Sequence, residues 1–520
     1  MRSFSLKIKP LIFVFLCCSL IVSTFGGCTK KTDGEWISDV VWEETDESEN
    51  TDTTSNDKDT DSGQNGKIDN NNSSNISSSK KTQANSTTSD DVDVKGYTFH
   101  LYDEWAPTKI TNTSTTFEKM LFQRIEEVEE ELGCTIKITN DFYVGMDKMS
   151  PMIMAGKKVA DIIAMMPRQM TAMAGNNYIV DLKTVDGINI NDSKWVSSYT
   201  KIATINNKTY GLSFTKPTEV RMCVIFNKTL LNNNGVNADG IYDLVRSKKW
   251  NFEKFAEYAK KTTTSVNGVT KTWGVGGEPK YVAECLLGAN NAKLVTLSSE
   301  KATPTFSSKV AIDAIEFFDR LVNKDKSFMI TSGMRSKNTY TSSVPNYTQN
   351  FLKGTMAFLI EDSWVVNQKI KLKVKNFDWG IVPLPMGPAA TDYVSPAENA
   401  NVYCITSTNK KDLAKTVKIF NALAEPAKGY EDEDWWLDDI QEDYFQANDK
   451  DSLEMYQLCL EKSTYDVGIG VEAMLEAFLN NGVYGPIFYG SGSTVETGIK
   501  SISGTYDKAI ESTFKGILSK

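Results

Sequence analysis

Histidine is almost missing from this sequence, with a single residue, His100, in a chain of 520. Ser-His-Asp triads and the zinc motif HExxH need histidines at fixed positions, so this scarcity nearly excludes both. The phosphate-binding pattern GxxxxGK[ST] is missing as well, which argues against an ATPase. Glycoside hydrolysis needs only two carboxyl groups, and Asp and Glu are too common here for the sequence to exclude it. We predict that the chain is not an enzyme and carries no cofactor.

Positive charge is outnumbered, since 57 Lys and Arg face 67 Asp and Glu and the net charge is −10. A nucleic-acid partner would require a basic face, so none is predicted. Residues 29–95 contain 16 Asp and Glu against 7 Lys and Arg, so most of the net negative charge lies in this segment. The rest of the chain is close to neutral.

Cysteine is sparse and scattered, with no CxxC spacing in the body of the chain. A zinc site or a disulfide framework would show paired spacings, so neither is predicted. We expect mostly buried free thiols with room for one disulfide, among five residues: Cys134, Cys223, Cys285, Cys404 and Cys459.

The N-terminus has a charged start, an apolar run over 11–22 and small residues before Cys28. The run is too short to span a membrane comfortably, and the order is typical of a secretory signal over 1–27. Phe25-Gly26-Gly27-Cys28 resembles the lipobox of bacterial lipoproteins. That resemblance implies lipidation of Cys28 and a place on the extracytoplasmic face of the cell membrane. The alternative is an ordinary secreted protein whose signal is cut elsewhere.

Residues 28–95 are rich in Ser, Thr, Asn and Asp and contain little apolar sequence. Such a segment buries too little surface to offset its chain entropy, so it is expected to be a disordered tether. A flexible chain of this length reaches about 45 Å, enough to hold a body away from a membrane.

The body alternates between strand and helix patterns, which predicts an α/β fold with parallel strands. Strands are expected at 97–105, 134–141 and 160–166, where apolar residues alternate or run together. His100 lies within the first of these and is expected to be packed. Between them, apolar residues at helical spacing predict a helix over 116–132 that ends at Gly133. The last third is predicted to be mainly helical.

Six phrases, in this order, resemble the family 1 extracellular solute-binding proteins of bacterial ABC importers, which include the maltose-binding type. The phrases are "MAGKKVADIIAM", "NNKTYGLSF", "VIFNKTLLNNNGV", "KKWNFEKFAEYAKK", "FLKGTMAFLIEDSW" and "FDWGIVPLPMGP".

The resemblance implies two α/β lobes of periplasmic-binding-protein type, with a ligand cleft between them and three crossings of the chain. The implied crossings lie near 216–221, 358–361 and 395–402. The implied first lobe is 96–217 plus 361–396, and the second is 222–357 plus 400–520. The implied partners are a small-molecule ligand, a carbohydrate by type, and the membrane subunits of an ABC permease.

A carbohydrate cleft needs aromatic rings for the C–H faces of a sugar and planar polar groups for its hydroxyls. Trp364 matches the family's "GxW" turn and is predicted to be a stacking platform, with Asp362 beside it; the alternative is a core tryptophan. Asp103 and Glu104 end the first strand, where ligands of doubly wound sheets lie, and either a hydroxyl contact or a solvated turn fits.

The remaining candidates rest on weaker matches. Arg168 follows the third strand and is expected to pair with an internal carboxylate or with an acidic sugar, the internal carboxylate being preferred. "GGEPKY" resembles the family's "EPY" turn with Lys280 inserted, which implicates Glu278 and Tyr281. Tyr489 and Phe488, in a Gly-rich segment, are further contacts.

Two other groups have simpler interpretations. Glu219 with Arg221, and Glu398 with Asn399, lie at predicted crossings, where a hinge ion pair is as reasonable as a ligand contact. The acidic segment 429–445 lacks the spacing and glycine of a calcium loop, so we expect a solvated helix edge and no metal.

Two functions from different classes follow. The first is a tethered receptor that captures a small solute and delivers it to an ABC permease. The second is a tethered interaction or sensor protein on the same scaffold, without a transport ligand.

Overall fold

The computed structural model describes residues 92–111, 114–140, 146–214, 222–397, 400–432, 435–446 and 449–518. The predicted signal, Cys28 and nearly all of the predicted tether lie outside the described residues. So do Glu219, Arg221, Glu398 and Asn399.

Fifteen strands occur in the described chain: β1 Thr98–Tyr102, β2 Thr135–Thr139, β3 Ile162–Met165, β4 Thr204–Ile205, β5 Lys208–Thr209, β6 Met222–Asn227, β7 Thr264–Val266, β8 Val269–Gly276, β9 Val295–Leu297, β10 Ala302–Pro304, β11 Met356–Asp362, β12 Trp379–Val382, β13 Ser395–Pro396, β14 Val402–Cys404 and β15 Ser463–Thr464.

The α-helices are Thr116–Leu132, Met146–Met154, Pro167–Gly175, Ser197–Ile202, Lys228–Asn233, Gly240–Arg246, Phe252–Thr262, Pro279–Ala289, Lys309–Asp319, Tyr340–Ser343, Tyr347–Leu352, Lys371–Lys373, Leu413–Ala424, Trp435–Tyr444, Lys450–Glu461, Glu472–Phe478, Val495–Lys500 and Asp507–Leu518. Tighter 3₁₀ turns occupy Leu182–Thr184, Ser332–Arg335 and Val467–Gly470, and wider π-helical turns occupy Arg320–Lys324, Val366–Ile370 and Leu479–Tyr489.

Two sheets organise the body. The first has the order β14-β3-β1-β2, in which β1 runs parallel to β2 and β3, while β14 is antiparallel to β3. The second has the order β12-β6-β11-β8-β7, in which β11 is parallel to β8 and antiparallel to β6. The predicted α/β class with parallel strands is confirmed.

The pairing corrects two of the lobe assignments. β12, at Trp379–Val382, was assigned to the first lobe but pairs with β6 in the second sheet. β14, at Val402–Cys404, was assigned to the second lobe but pairs with β3 in the first sheet. The remaining lobe bounds stay a prediction. Local sequence patterns carry no information about which sheet a strand joins.

The helix Thr116–Leu132 shows why several elements are readable from sequence. Thr115 accepts a hydrogen bond from the Glu118 amide at 3.2 Å, and the Glu118 carboxylate accepts one from the Thr115 amide at 2.8 Å. This reciprocal capping satisfies two amides that the helix leaves open. Gly133 then ends the helix with a left-handed φ of 64°, a conformation that favours glycine.

Buried side chains form two clusters that separate at the first sheet. One lies on the face that carries Phe99, Leu101 and Ile162. The other begins on the opposite face, with Tyr102 and Ile163, and continues through the second sheet. Apolar packing therefore extends without a break from one sheet to the other.

The strand β1 also corrects the expectation for histidine. His100 is exposed rather than packed. Thr98, His100 and Tyr102 share one face of the strand, yet only Tyr102, at its carboxyl end, is covered by the core. Alternation gave the face correctly but not how far the core extends along it.

The C-terminal helix Asp507–Leu518 packs against Pro167–Gly175, which follows β3 of the first sheet. The contact is so close that a Cβ atom on Gly175 would stand 1.7 Å from the Thr513 carbonyl oxygen. A Cβ atom on Gly516 would likewise stand 2.5 Å from the Gly175 carbonyl oxygen. Glycine is required at both positions because the two backbones touch.

All five body cysteines are buried and free, in agreement with the predicted thiols. Burial raises the pKa of the Cys404 and Cys459 thiols, which keeps them protonated and unreactive.

Candidate functional site

The carboxyl ends of β1 and β3 lie at one edge of the first sheet, because the two strands are parallel neighbours. Glu104 and Arg168 follow these strands, so they share that edge. Asn140, after β2, joins it and donates from its Nδ2 to the Ala106 carbonyl oxygen at 3.2 Å. The edge is therefore a continuous rim of loops.

The second sheet presents a matching edge. β8 and β11 are parallel, so Glu278 after one strand and Trp364 after the other stand at the same end. Glu361 is the second-to-last residue of β11 and lies next to them. Polar and aromatic groups thus collect where two parallel strands end, which is the usual place for a ligand of an α/β protein.

Asp103 is buried and already bonded within the protein. Its two carboxylate oxygens accept hydrogen bonds from the Trp105 amide at 3.0 Å and the Tyr403 hydroxyl at 3.1 Å. Burial raises the pKa of Asp103, although these donors oppose the shift. These contacts favour a turn-building role for Asp103, which ties β1 to β14, over contact with a ligand.

We expect Asp103→Asn to leave ligand binding unchanged and to stabilise the protein more at pH 7 than at pH 4. Because burial raises the pKa of Asp103 above its ordinary 3.8, the native state holds a proton that the unfolded chain has lost. Stability therefore falls as pH rises through the range between the unfolded and native pKa values, and asparagine removes this cost. The asparagine oxygen can still accept from the Trp105 amide, while its nitrogen would donate to the Tyr403 oxygen in a reversed hydrogen bond. Urea unfolding at the two pH values measures the difference, and a loss of ligand affinity in this variant would show that the carboxylate reaches the ligand.

The neighbours of Asp103 are more open. Trp105 has 52% of its surface exposed, and Glu104 is half-buried, which raises the pKa of its carboxyl group. Arg168 donates from its Nη2 to the Met166 sulfur at 3.5 Å. The preferred pairing of Arg168 with an internal carboxylate does not occur within the described ranges.

Trp364 has 36% of its surface exposed, so its ring is not a core side chain. Its amide donates to Asp362 Oδ1 at 3.2 Å, which fixes the turn that follows β11. Lys369 Nζ lies 4.7 Å from the ring centroid and covers one face. Asp362 itself is buried, with 6% of its surface exposed, and its part in this turn favours a structural role over contact with a ligand.

Glu278 and Glu361 lie close together at this edge. Burial raises the pKa of each carboxyl group, and the charge of Glu361 raises that of Glu278 further. Glu361 accepts from the Asp362 amide at 3.1 Å and from the Thr348 hydroxyl at 3.4 Å. Glu278 precedes the helix Pro279–Ala289 without capping it, and no described residue donates a hydrogen bond to its carboxylate.

Tyrosines surround this pair of carboxylates. The ring of Tyr340 lies 4.9 Å from that of Tyr484 and 5.4 Å from that of Tyr489. Burial raises the pKa of Tyr340 and Tyr484, and in both cases the Glu278 charge adds to the shift. The predicted residues Glu278 and Tyr489 are therefore brought into one cluster.

Tyr281 belongs to the same neighbourhood, since it contributes to the raised pKa of Tyr484. Lys280 Nζ lies 5.7 Å from the Tyr281 ring centroid. Phe488 was also predicted to contact the ligand. It is fully buried against Phe318 and Phe328, which disfavours that contact.

Sequence reasoning missed Tyr340, Tyr484 and the importance of Glu361. Tyr340 sits in an irregular polar stretch with no periodicity to single it out. Tyr484 was read as part of a glycine-rich loop, but Leu479–Tyr489 forms wide π-helical turns that end at Gly490. Such turns are rare and recur at functional sites.

A groove of about 1240 Å³ lies elsewhere, lined by Trp195, Trp435 and Trp436 among others. None of the predicted ligand residues lines it. Some of its charged groups form ion pairs with each other, such as Lys194 with Glu425 at 2.9 Å. We place the candidate site at the strand ends, where exposed aromatic surface meets carboxylates that lack such partners.

The acidic segment around these tryptophans is helical, as expected, over Trp435–Tyr444. Trp435 packs against Phe117 at 5.0 Å and Tyr430 at 4.7 Å between ring centroids. Within the described ranges no cluster of three or more His, Cys, Asp or Glu side chains is arranged to hold a metal ion. Nor does the part of the chain that the structure covers contain a helix able to cross a membrane.

Residues 109–429 match the sequence profile of a family described as bacterial extracellular solute-binding protein. No curated protein matches the sequence significantly.

Several solved structures share the fold at low sequence identity. The Listeria monocytogenes ABC substrate-binding protein Lmo0181, in complex with cycloalternan, has a TM-score of 0.51 at 16% identity, over 81% of this chain and 99% of its own. Maltose-bound T. maritima MalE3 has a TM-score of 0.51 at 14% identity, over 80% of this chain and 99% of its own. UgpB from Mycobacterium tuberculosis, in complex with glycerophosphocholine, has a TM-score of 0.55 at 13% identity, over 79% of this chain and 98% of its own.

Proposed function

Because the chain belongs to the bacterial extracellular solute-binding protein family of ABC transporters, we propose that it captures a carbohydrate between its two lobes and delivers it to an ABC permease. The observation that carries this proposal is the half-exposed Trp364 ring beside Glu278 and Glu361. An aromatic face and carboxylates together suit the two kinds of surface on a sugar. The sugar-bound neighbours support the ligand class.

We propose that the lobes follow the two sheets. The first lobe is built on β14-β3-β1-β2 and the second on β12-β6-β11-β8-β7. The rims at the ends of β1 with β3, and of β8 with β11, then face each other across the cleft. Hinge closure between two such lobes can enclose a small solute.

We also propose that Cys28 carries a lipid anchor and that residues 28–95 tether the lobes to the extracytoplasmic face of the membrane. The lipobox-like Phe25-Gly26-Gly27-Cys28 and the composition of the tether support this arrangement. A tethered receptor stays near its permease while remaining free to turn toward it.

A thermal-unfolding screen against neutral sugars, amino sugars, peptides and polyamines tests the function. A sugar at about 30 times its Kd is expected to stabilise the protein by about 2 kcal/mol, because it binds only the folded state. The hit is then repeated with Trp364→Ala, which should remove the shift. An absence of any shift across the panel would favour the alternative, a tethered interaction or sensor protein without a transport ligand.

A further inference from the structure

Resting on the proposed function, we infer that the rim of the second sheet recognises a sugar that carries an ammonium group, an amino sugar, held between Glu278 and Glu361. This narrows the ligand class beyond carbohydrate in general. The inference stands on three features of the rim: an uncompensated pair of carboxylates, a buried hydroxyl without a partner, and a set of tyrosine rings.

The two carboxylates lack cationic partners within the described chain. Lys280 and Lys369 are the nearest cations that act on them, and each lies over an aromatic ring instead of forming an ion pair with a carboxylate. Like charges held together in a half-buried place repel each other. A neutral sugar can donate hydroxyls to them but leaves that repulsion in place, whereas an ammonium group removes it.

The Tyr340 hydroxyl supplies a second and independent feature. The residue is 5% exposed, and no described residue forms a hydrogen bond with its hydroxyl. It lies near enough to Glu278 for that charge to raise its pKa. A buried hydroxyl without a partner is costly, so it marks a place where a ligand supplies the missing contact.

The tyrosine rings complete the recognition of a cation. Tyr340, Tyr484 and Tyr489 lie with centroids 4.9 to 6.3 Å apart. The faces of aromatic rings attract ammonium groups, and more strongly where water is excluded. An ammonium group also has three donors, enough for both carboxylates and the Tyr340 oxygen.

The same features disfavour acidic sugars. A uronate or a sugar phosphate would add negative charge beside Glu278 and Glu361. Asp362, Thr348, Lys280 and Lys369 act directly on the pair. The Glu278 charge in turn acts on Tyr340, Tyr347 and Tyr484, and Tyr484 is also affected by Tyr281 and Glu284.

Titration calorimetry of the full chain with matched pairs of sugars tests the inference. The pairs are glucosamine against glucose, and the β-1,4 disaccharide of glucosamine against cellobiose. We expect the amine of a pair to bind about 10-fold tighter at pH 7, about 1.4 kcal/mol. Glu278→Gln and Glu361→Gln should each bring the ratio of amine to neutral-sugar affinity to within about threefold of one, whatever each does to the neutral-sugar affinity itself. Glu496→Gln, an exposed site that pairs with Lys500, should leave the ratio unchanged.

The other outcomes separate the two proposals. Neutral sugars that bind as tightly as the amines, or a preference that survives both glutamine variants, would overturn this inference and leave sugar capture standing. If no sugar of either kind binds, both fail. A fall in the amine preference between pH 7 and pH 5 gives independent support, because the raised pKa values of Glu278 and Glu361 make the pair take up protons there while the amine stays charged.

Discussion

Trp364→Ala is expected to weaken sugar binding about 100-fold, a loss of about 2.7 kcal/mol. The ring is a large aromatic surface at the second-sheet rim and is 36% exposed. A hydrogen bond from the Trp364 backbone amide to the Asp362 carboxylate fixes the turn that carries it. Alanine removes the stacking surface but keeps that backbone bond. Lys369 covers one ring face, so the sugar uses the other face or displaces the lysine. Titration calorimetry with the sugar identified by thermal unfolding gives the affinity.

Trp436→Ala is the matched control for this experiment. Trp436 is also partly exposed but lines the separate groove near Trp195. The same truncation there should leave affinity within about twofold. Equal affinities in wild type and Trp364→Ala would remove the stacking role, and equal losses in both variants would point to a general loss of structure instead.

Asp161→Ala is expected to lower the free energy of unfolding by about 3 to 5 kcal/mol. Asp161 is fully buried and directly precedes β3. Its Oδ1 accepts from Tyr97 at 2.6 Å, Lys158 at 2.8 Å and Thr416 at 2.6 Å, and its Oδ2 accepts from the His100 amide at 2.8 Å. Alanine leaves these donors unpaired in a place with little water. Urea unfolding followed by far-ultraviolet circular dichroism measures the loss.

Glu496→Ala serves as the control for stability. Glu496 forms an exposed ion pair with Lys500 one helical turn away, and such pairs contribute about 0.3 to 0.5 kcal/mol. A loss below about 1 kcal/mol in Asp161→Ala would mean that water or a rearranged side chain replaces the carboxylate. The same network raises the pKa of Tyr97 to about 12, through burial first and the bond to Asp161 second.

Much of the local structure is predictable because its causes are local. The helix Thr116–Leu132 matches its predicted bounds, since the apolar spacing and Gly133 lie within the segment itself. Asn251 caps the helix Phe252–Thr262 by accepting from the Lys254 amide at 3.0 Å, which is a common role for an asparagine just before a helix. The π-helical turns at Leu479–Tyr489 are the exception, because glycines placed for close packing look like turn residues.

The site was harder to predict, because a carboxylate in a sequence does not reveal which way it points. Asp103 and Asp362 turned inward to fix the turns after their strands, while Glu278 and Glu361 came together where β8 and β11 end. Tyr340 reaches that rim from a stretch with no pattern. These outcomes depend on contacts between distant parts of the chain.

The contact of Gly175 and Gly516 has a consequence for biosynthesis. A ribosome makes the helix Pro167–Gly175 more than 300 residues before its covering partner, and β14 reaches β3 only after residue 404 has been made. The N-terminal half therefore cannot complete its native packing until the end of translation. This order suits the proposed export, because a chain whose last packing partners are still missing has not closed its fold before it is translocated.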